Sequence, residues 1–292
     1  MLLADKWKDY ELLDTGNGEK LERWGKFILR RPDGQVIWPQ SNPALWEKAD
    51  AVYHKIAGGG KWEFKTKFPD RWEINYDGIK FLVEPTGFKH TGLFPEQAVN
   101  WEIMKSIIAN YKLRDTNFRV LNLFAYTGAA SVVCAAAGAD VVHVDASKGM
   151  NTWAKENWEL NSNLNSGGSI RFITDDVKKF VAREIRRGNK YDGIIMDPPV
   201  YGRGPNGELW ELEKEIQNLI SDCVQLLHSE SKFFIINTYT ASISPVSLQN
   251  LLSSLILPNY AGKIGSGEIG IPSSQKGIIL PCGIYARWEK GS

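Results

Sequence analysis

The chain has 292 residues, 43% hydrophobic and 24% charged, enough for a large domain with a smaller lobe and for a sizeable core without crosslinks. A net charge of +1 excludes a global field toward nucleic acid or anionic lipid, so any such surface must be local. Three cysteines without paired spacing argue against a secreted disulfide framework, and the opening MLLADKWKDYELL lacks the apolar run of a leader. The uncharged stretches Val120 to Ala139 and Phe233 to Gly262 are interrupted by polar residues or prolines, so the expectation is a cytoplasmic protein with no membrane span and no resident metal.

Residues 1–90 hold six of the eleven tryptophans. Their extended runs WGKFILRR, VIW, KWEFKTKF and RWEINY are punctuated by Pro32-Asp33-Gly34, Asn42-Pro43, Gly58-Gly59-Gly60 and Asp77-Gly78, a pattern that predicts a small antiparallel β lobe. In the third run a period of two puts Trp62, Phe64, Thr66 and Phe68 on one face and Lys61, Lys65 and Lys67 with Glu63 on the other. With 15 basic and 14 acidic residues in the lobe, two readings stay open. The charges are simply solvated, or the basic face tracks a phosphate backbone while rings such as Trp24 or Trp38 stack on bases.

From residue 91 strands and helices alternate. Strands are predicted over Arg119 to Phe124, Asp140 to Val144, Ile170 to Thr174, Tyr191 to Met196 and Phe233 to Thr238. Helices are predicted over Gly128 to Gly138, up to Asn161, over Val177 to Arg187, Glu208 to Leu227 and Leu248 to Leu255, with extended segments around Ile269 and from Ile278 to Trp288. Alternation at these lengths implies an α/β fold with a parallel sheet, residues 91–292 forming one domain behind the 1–90 lobe.

Ligands of such sheets bind beyond the carboxyl ends of the strands. The first strand ends in Asn122-Leu123-Phe124-Ala125-Tyr126-Thr127-Gly128, one glycine and two aromatics where a dinucleotide enzyme needs GxGxxG. That turn suits a nucleoside cofactor without phosphates, such as S-adenosylmethionine. Asp145, 17 residues after Gly128, closes the second strand in Asp145-Ala146-Ser147, where a carboxylate accepts from both ribose hydroxyls or merely caps a helix. Asp176, after the third strand, faces the adenine amino group or acts as an N-cap. The fourth strand runs into Asp197-Pro198-Pro199-Val200-Tyr201, a rigid turn that offers carbonyl acceptors without matching donors.

NLFAYTG, VDASK, DDVKKF and DPPVYGRGPNGELWELEKEI together resemble the S-adenosylmethionine-dependent methyltransferases grouped with bacterial large-subunit ribosomal RNA methyltransferases. HTGLFPEQ, residues 90–97, is similar to that family's cofactor-contacting segment ahead of a helix. The resemblance covers nearly the whole chain. It implies a Rossmann-like sheet of seven mostly parallel strands with the last reversed, S-adenosylmethionine as donor with S-adenosylhomocysteine as product, and an RNA substrate. Carried over by position, the cofactor contacts are Phe94, Gln97, Asn122, Phe124, Tyr126, Gly128, Asp145, Asp176 and Asp197, with Ala146 and Ser147 beside Asp145. Asn122 departs from the family's usual acid.

Two acceptor chemistries compete. Cytosine C5 methylation needs a cysteine nucleophile, and Cys282 is the loop-like candidate, since Cys134 and Cys223 sit among apolar helix residues. Methylation of an exocyclic amine needs a carboxylate, a proline carbonyl and a stacking ring, which Asp197, Pro198 and Tyr201 supply, and this reading is preferred. A non-catalytic RNA-binding or assembly protein with a vestigial cofactor site is the alternative of another class.

Overall fold

A computed structural model describes residues 1–56, 59–112, 117–164, 167–204, 206–240, 242–275 and 277–291, at Lys112 the backbone alone; Gly58 of the turn named above and Pro205 lie outside the described residues. The chain divides into two compact units, Met1–Val99 with Ile269–Cys282, and Asn100–Glu268 with Gly283–Ser292.

In the first unit run β1 (Leu2–Leu3), β2 (Tyr10–Gly16), β3 (Glu19–Trp24), β4 (Phe27–Pro32), α1 (Pro43–Trp46), β5 (Ala51–Ile56), β6 (Gly59–Phe64), β7 (Trp72–Tyr76) and β8 (Ile79–Val83). The five strands β2-β3-β4-β5-β6 form one sheet with β6 at an edge, and β7 and β8 form a hairpin. Asn17-Gly18 and Asp77-Gly78 turn β2 into β3 and β7 into β8, all four residues at positive φ, the geometry of tight two-residue hairpins. Val36 to Trp38 is not a strand: the Val36 and Trp38 carbonyls accept from Gly18 and Asn17 without a ladder. The unit buries a charged cluster. Glu22, fully enclosed, accepts from Arg31 Nε at 2.7 Å and from the Tyr10 hydroxyl at 2.8 Å. Burial opposes its charge, but Arg31 and Lys20 outweigh burial and hold the Glu22 carboxyl at about 2.

The second unit contains most of α2 (Ala98–Lys112), then β9 (Arg119–Leu123), α3 (Ala129–Ala136), β10 (Asp140–Asp145), α4 (Lys148–Glu159), β11 (Ser169–Thr174), α5 (Val177–Arg186), β12 (Gly193–Met196), β13 (Tyr201–Arg203), β14 (Leu209–Glu211), α6 (Leu212–Val224), β15 (Phe233–Thr238) and α7 (Pro245–Ile256). Strands β16 (Lys263–Pro272) and β17 (Ile279–Glu289) follow, and each contributes residues to both units. The large sheet has eight strands in the order β1-β16-β17-β15-β12-β9-β10-β11, with β1 parallel to β16, β17 antiparallel to β15 and the pairs from β15 to β11 parallel. The seven strands from β16 to β11 have the Rossmann-like arrangement with a reversed last strand, and β1 adds an eighth at the edge. Its strands read as continuous apolar runs because both faces are covered, as in Phe233 to Ile236, each fully buried. Ser147, Asp176 and Ser244 start α4, α5 and α7, each accepting a backbone N–H of the first turn, and Pro245 fits the first turn of α7.

The helix expected from Glu208 begins later. Leu209–Glu211 pair with Tyr201–Arg203 as a short hairpin, and α6 starts at Leu212. Glu208 and Trp210 make non-helical contacts described below, which override the helical periodicity of ELWELEKEI. No helix among the described residues is long and apolar enough to cross a membrane.

Candidate active site

The register of the sheet aligns the expected residues. Leu123 lies opposite both Val144 and Met196, and Met196 lies opposite Ile236. The residues that follow, Phe124, Asp145, Asp197 and Asn237, therefore stand side by side along the carboxyl edge. Strand β9 leads to β10 on one side and borders β12 on the other, so the winding direction reverses here, where open α/β sheets bind ligands.

The loop after β9 is held in an unfavourable backbone path. Phe124 and Tyr126 adopt φ of 55° and 53°, and Gly128 a φ of 83°. For the two aromatics this costs about 1–3 kcal/mol each. Four hydrogen bonds compensate: Ala125 N–H to Val144 O, Gly128 N–H to Ala125 O, Tyr126 N–H to Asp145 Oδ2 at 2.8 Å, and Asn157 Nδ2 to Thr127 O at 2.8 Å. A Cβ on Gly128 would lie 2.7 Å from the Ala154 Cβ, so this glycine also lets α4 approach the loop.

Asp145 is half-buried, and its other oxygen accepts from Ser147 N–H at 2.8 Å. Burial raises its carboxyl pKa and these two backbone bonds oppose the rise. Each oxygen keeps a second lone pair, so two ribose hydroxyls fit the acceptor capacity that remains. Ala146 lies beside it, and the Ser147 side chain caps α4. Asp176 caps α5 through Oδ1, accepting Lys179 N–H at 2.9 Å. Its Oδ2 faces the hairpin: a Cβ on Gly204 would lie 3.0 Å from it. Asn122 is buried and donates to Ser131 Oγ at 2.9 Å, which is 3.0 Å from His143 Nδ1. Burial holds His143 near 3, so this cluster under the loop stays uncharged.

At the end of β12, Asp197 is half-buried, Pro198 buried and Tyr201 57% exposed on β13. The Trp210 indole on β14 donates 2.6 Å to the Pro199 carbonyl, and its ring lies 5.0 Å from that of Phe124. Glu208 accepts from Asn206 N–H and pairs with Lys179 of α5. The hairpin is thus tied to the loop after β9, to the turn after β12 and to α5.

Phe94 and Gln97 lie in the first unit, where Phe94 precedes a single 3-10 turn, Pro95–Gln97, and its ring lies 5.5 Å from His90. Cys282 also belongs to the first unit and sits on β17, not in a loop. Its thiol donates to Leu280 O, and burial first, then Glu96, pushes its pKa well up. Cys134 and Cys223 are fully buried. Trp24 is fully buried, and Trp38 donates to Thr15 Oγ1; the loss of Trp24 to the core rules it out as a stacking surface.

Sequence reasoning missed Trp210, Asn151 and Asn157. Asn151 Nδ2 donates to Asp145 O and Thr174 Oγ1, so both asparagines of α4 hold strand-end loops. The available signal was two asparagines inside a helix, where their propensity is poor and a buried partner explains them.

Residues 49–229 match the S-adenosylmethionine-dependent methyltransferase family. The chain belongs to that family. This methyltransferase is 33% identical over 162 residues to the ribosomal RNA large subunit methyltransferase K/L of Shewanella frigidimarina, a match covering 55% of the chain and 21% of the relative. The protein of the same name from Colwellia psychrerythraea is 29% identical over 216 residues, 73% of the chain and 27% of the relative. The chain therefore matches about a fifth to a quarter of these relatives' length. A solved S-adenosylmethionine-dependent methyltransferase from Agrobacterium tumefaciens superimposes with a TM-score of 0.93 at 38% identity, covering 99% of this chain and 93% of that one. One from Streptococcus mutans, at 19% identity and a TM-score of 0.70 over 97% of this chain and 76% of that one, shares the fold. S-adenosylmethionine is the methyltransferase's cofactor, and the phosphate-free turn after β9 with Asp145 beside it fits a nucleoside sulfonium.

Proposed function

We propose that this methyltransferase acts on an exocyclic amine of a base in RNA. One observation carries the reading: the Asp197-Pro198-Pro199 turn at the carboxyl edge has its second proline carbonyl filled by Trp210. No donor is bonded to the Pro198 carbonyl among the described residues. The turn thus presents one carboxylate and one carbonyl, the two acceptors that the two hydrogens of an amine require.

The cofactor supplies an electrophilic methyl on a sulfonium. Asp197 and Pro198 O would accept the amine's hydrogens and turn its lone pair out of conjugation with the base, and Asp197 would take up the proton released as the new C–N bond forms and the methyl–sulfur bond breaks, with the neutral thioether S-adenosylhomocysteine leaving. Tyr201, more than half exposed, offers its ring for stacking on the base. Phe124, Tyr126, Asp145 and Asp176 are the proposed cofactor contacts. The raised Cys282 pKa argues against a thiolate nucleophile and so against cytosine C5 chemistry. The names of the relatives, ribosomal RNA large subunit methyltransferases, support RNA as the acceptor class.

The test is incubation with methyl-labelled donor and separate RNA, protein and small-molecule fractions. Label in the RNA fraction is expected; label confined to either other fraction overturns the reading.

A further inference from the structure

The first unit carries aromatic rings that its own core does not use. Phe64 on the edge strand β6 is 49% exposed and Phe88 is 68% exposed. Trp62 stacks on Phe64 at 6.4 Å and 14°, and its indole donates to the Thr86 carbonyl. Thr86 Oγ1 in turn donates to Phe88 O, and Phe68 packs 5.1 Å from Phe64. An exposed pair of rings, backed by a rigid aromatic row, is a platform rather than a core remnant.

The charges around these rings are unbalanced in one direction. Lys55, Lys61, Lys65 and Lys67 are exposed and form no ion pair among the described residues. Three of the acids close by are engaged, Glu63 with His54, Glu84 with Arg71, and Asp50 with Ile28 N–H and the Thr66 hydroxyl, and Asp70 is exposed. Lys89, next to Phe88, is held below its ordinary range by burial first, then by Lys20, Arg31 and Lys55, with Asp33 opposing.

We infer that the β6 edge of the first unit binds an unpaired stretch of RNA, with bases stacked on Phe64 and Phe88 and phosphates held around that edge by Lys55 and by Lys61, Lys65 and Lys67, which the alternation along the run places on the opposite side from Phe64. The inference rests on the RNA reading above. Aromatic rings interleaved with unpaired lysines suit single-stranded nucleic acid, whose bases are free to stack; a duplex hides them. A protein strand added to the β6 edge would use main-chain pairing and would not require the lysines.

The test is fluorescence anisotropy of a labelled twelve-nucleotide oligouridylate with the full chain, at several salt concentrations. Wild type is expected to bind it more tightly than a hairpin duplex, with strong salt dependence. Phe64→Ala/Phe88→Ala should weaken binding about tenfold or more, and Lys65→Glu/Lys67→Glu should flatten the log–log salt slope by about 1.4. Wild-type affinity in both double variants overturns the inference, as does equal affinity for duplex, or wild-type RNA binding with lost self-association in the phenylalanine variant. Running the methyl-transfer assay alongside separates the two readings. RNA labelled by all variants alike removes the surface and keeps the acceptor; RNA bound through this edge yet never labelled does the reverse.

Discussion

The Trp210 indole N–H is bonded to the Pro199 carbonyl at 2.6 Å, and this one bond decides which face of the double-proline turn is open. It fixes the peptide after Pro199 while the Trp210 ring supports the left-handed Phe124. Trp210→Phe keeps a ring and removes the donor, leaving a carbonyl without its partner. The expected cost is about 1–3 kcal/mol, read as a modest loss in urea denaturation and a roughly tenfold fall in single-turnover methyl transfer, with cofactor affinity little changed. Unaltered turnover would mean that the turn is rigid without Trp210.

Asp145 is expected to hold the cofactor ribose. Asp145→Ala should weaken S-adenosylhomocysteine binding by about 2–4 kcal/mol, two hydrogen bonds to a charged group less relaxation, as measured by calorimetric titration. Because burial raises its carboxyl pKa, the ionised form is lost at a higher pH than for an ordinary aspartate. Wild-type affinity should therefore decline on the acid side before carboxylates usually titrate, and Asp145→Asn should be weak and flat over that range. For the empty fold the sign is opposite: a raised carboxyl pKa costs stability as pH rises from the unfolded toward the folded value.

Glu22 behaves the other way. Its pKa is lowered from 4.5 to about 2, so its contribution is present above 4.5 and is lost as pH falls toward about 2. The loss amounts to roughly 3 kcal/mol at about 1.4 kcal/mol per unit. Glu22→Gln should start lower by about 3–5 kcal/mol, since Arg31 stays buried without its charge partner, and should lose less on acidification. Denaturation at pH 6 and pH 3 checks both.

How much of this was legible in the sequence follows the physics of each element. Strands such as Phe233–Thr238 were plain because a sheet covered on both faces demands an uninterrupted apolar run. Asp145 and Asp197 were legible because strand ends followed at once by a cap or by prolines mark the carboxyl edge. The left-handed Phe124 and Tyr126 were not, since aromatic residues disfavour that conformation and hydrogen bonds to groups distant in sequence, Val144, Asp145 and Asn157, hold it. Trp210 was hidden inside a helical periodicity that its bond to Pro199 overrides. Trp24 could not be told from an exposed ring because an alternating strand pattern does not say which face is covered; the structure buries it and exposes Phe64.

The central claim is that Asp197, and no cysteine, serves the acceptor. Nucleoside mass spectrometry of RNA treated with labelled donor and wild type, Asp197→Ala or Cys282→Ser tests it most directly. The account predicts a base methylated on its exocyclic amine by wild type and by Cys282→Ser, and a loss of about 100-fold or more with folded, cofactor-binding Asp197→Ala. A 5-methylcytosine product that disappears with Cys282→Ser and survives Asp197→Ala would contradict it.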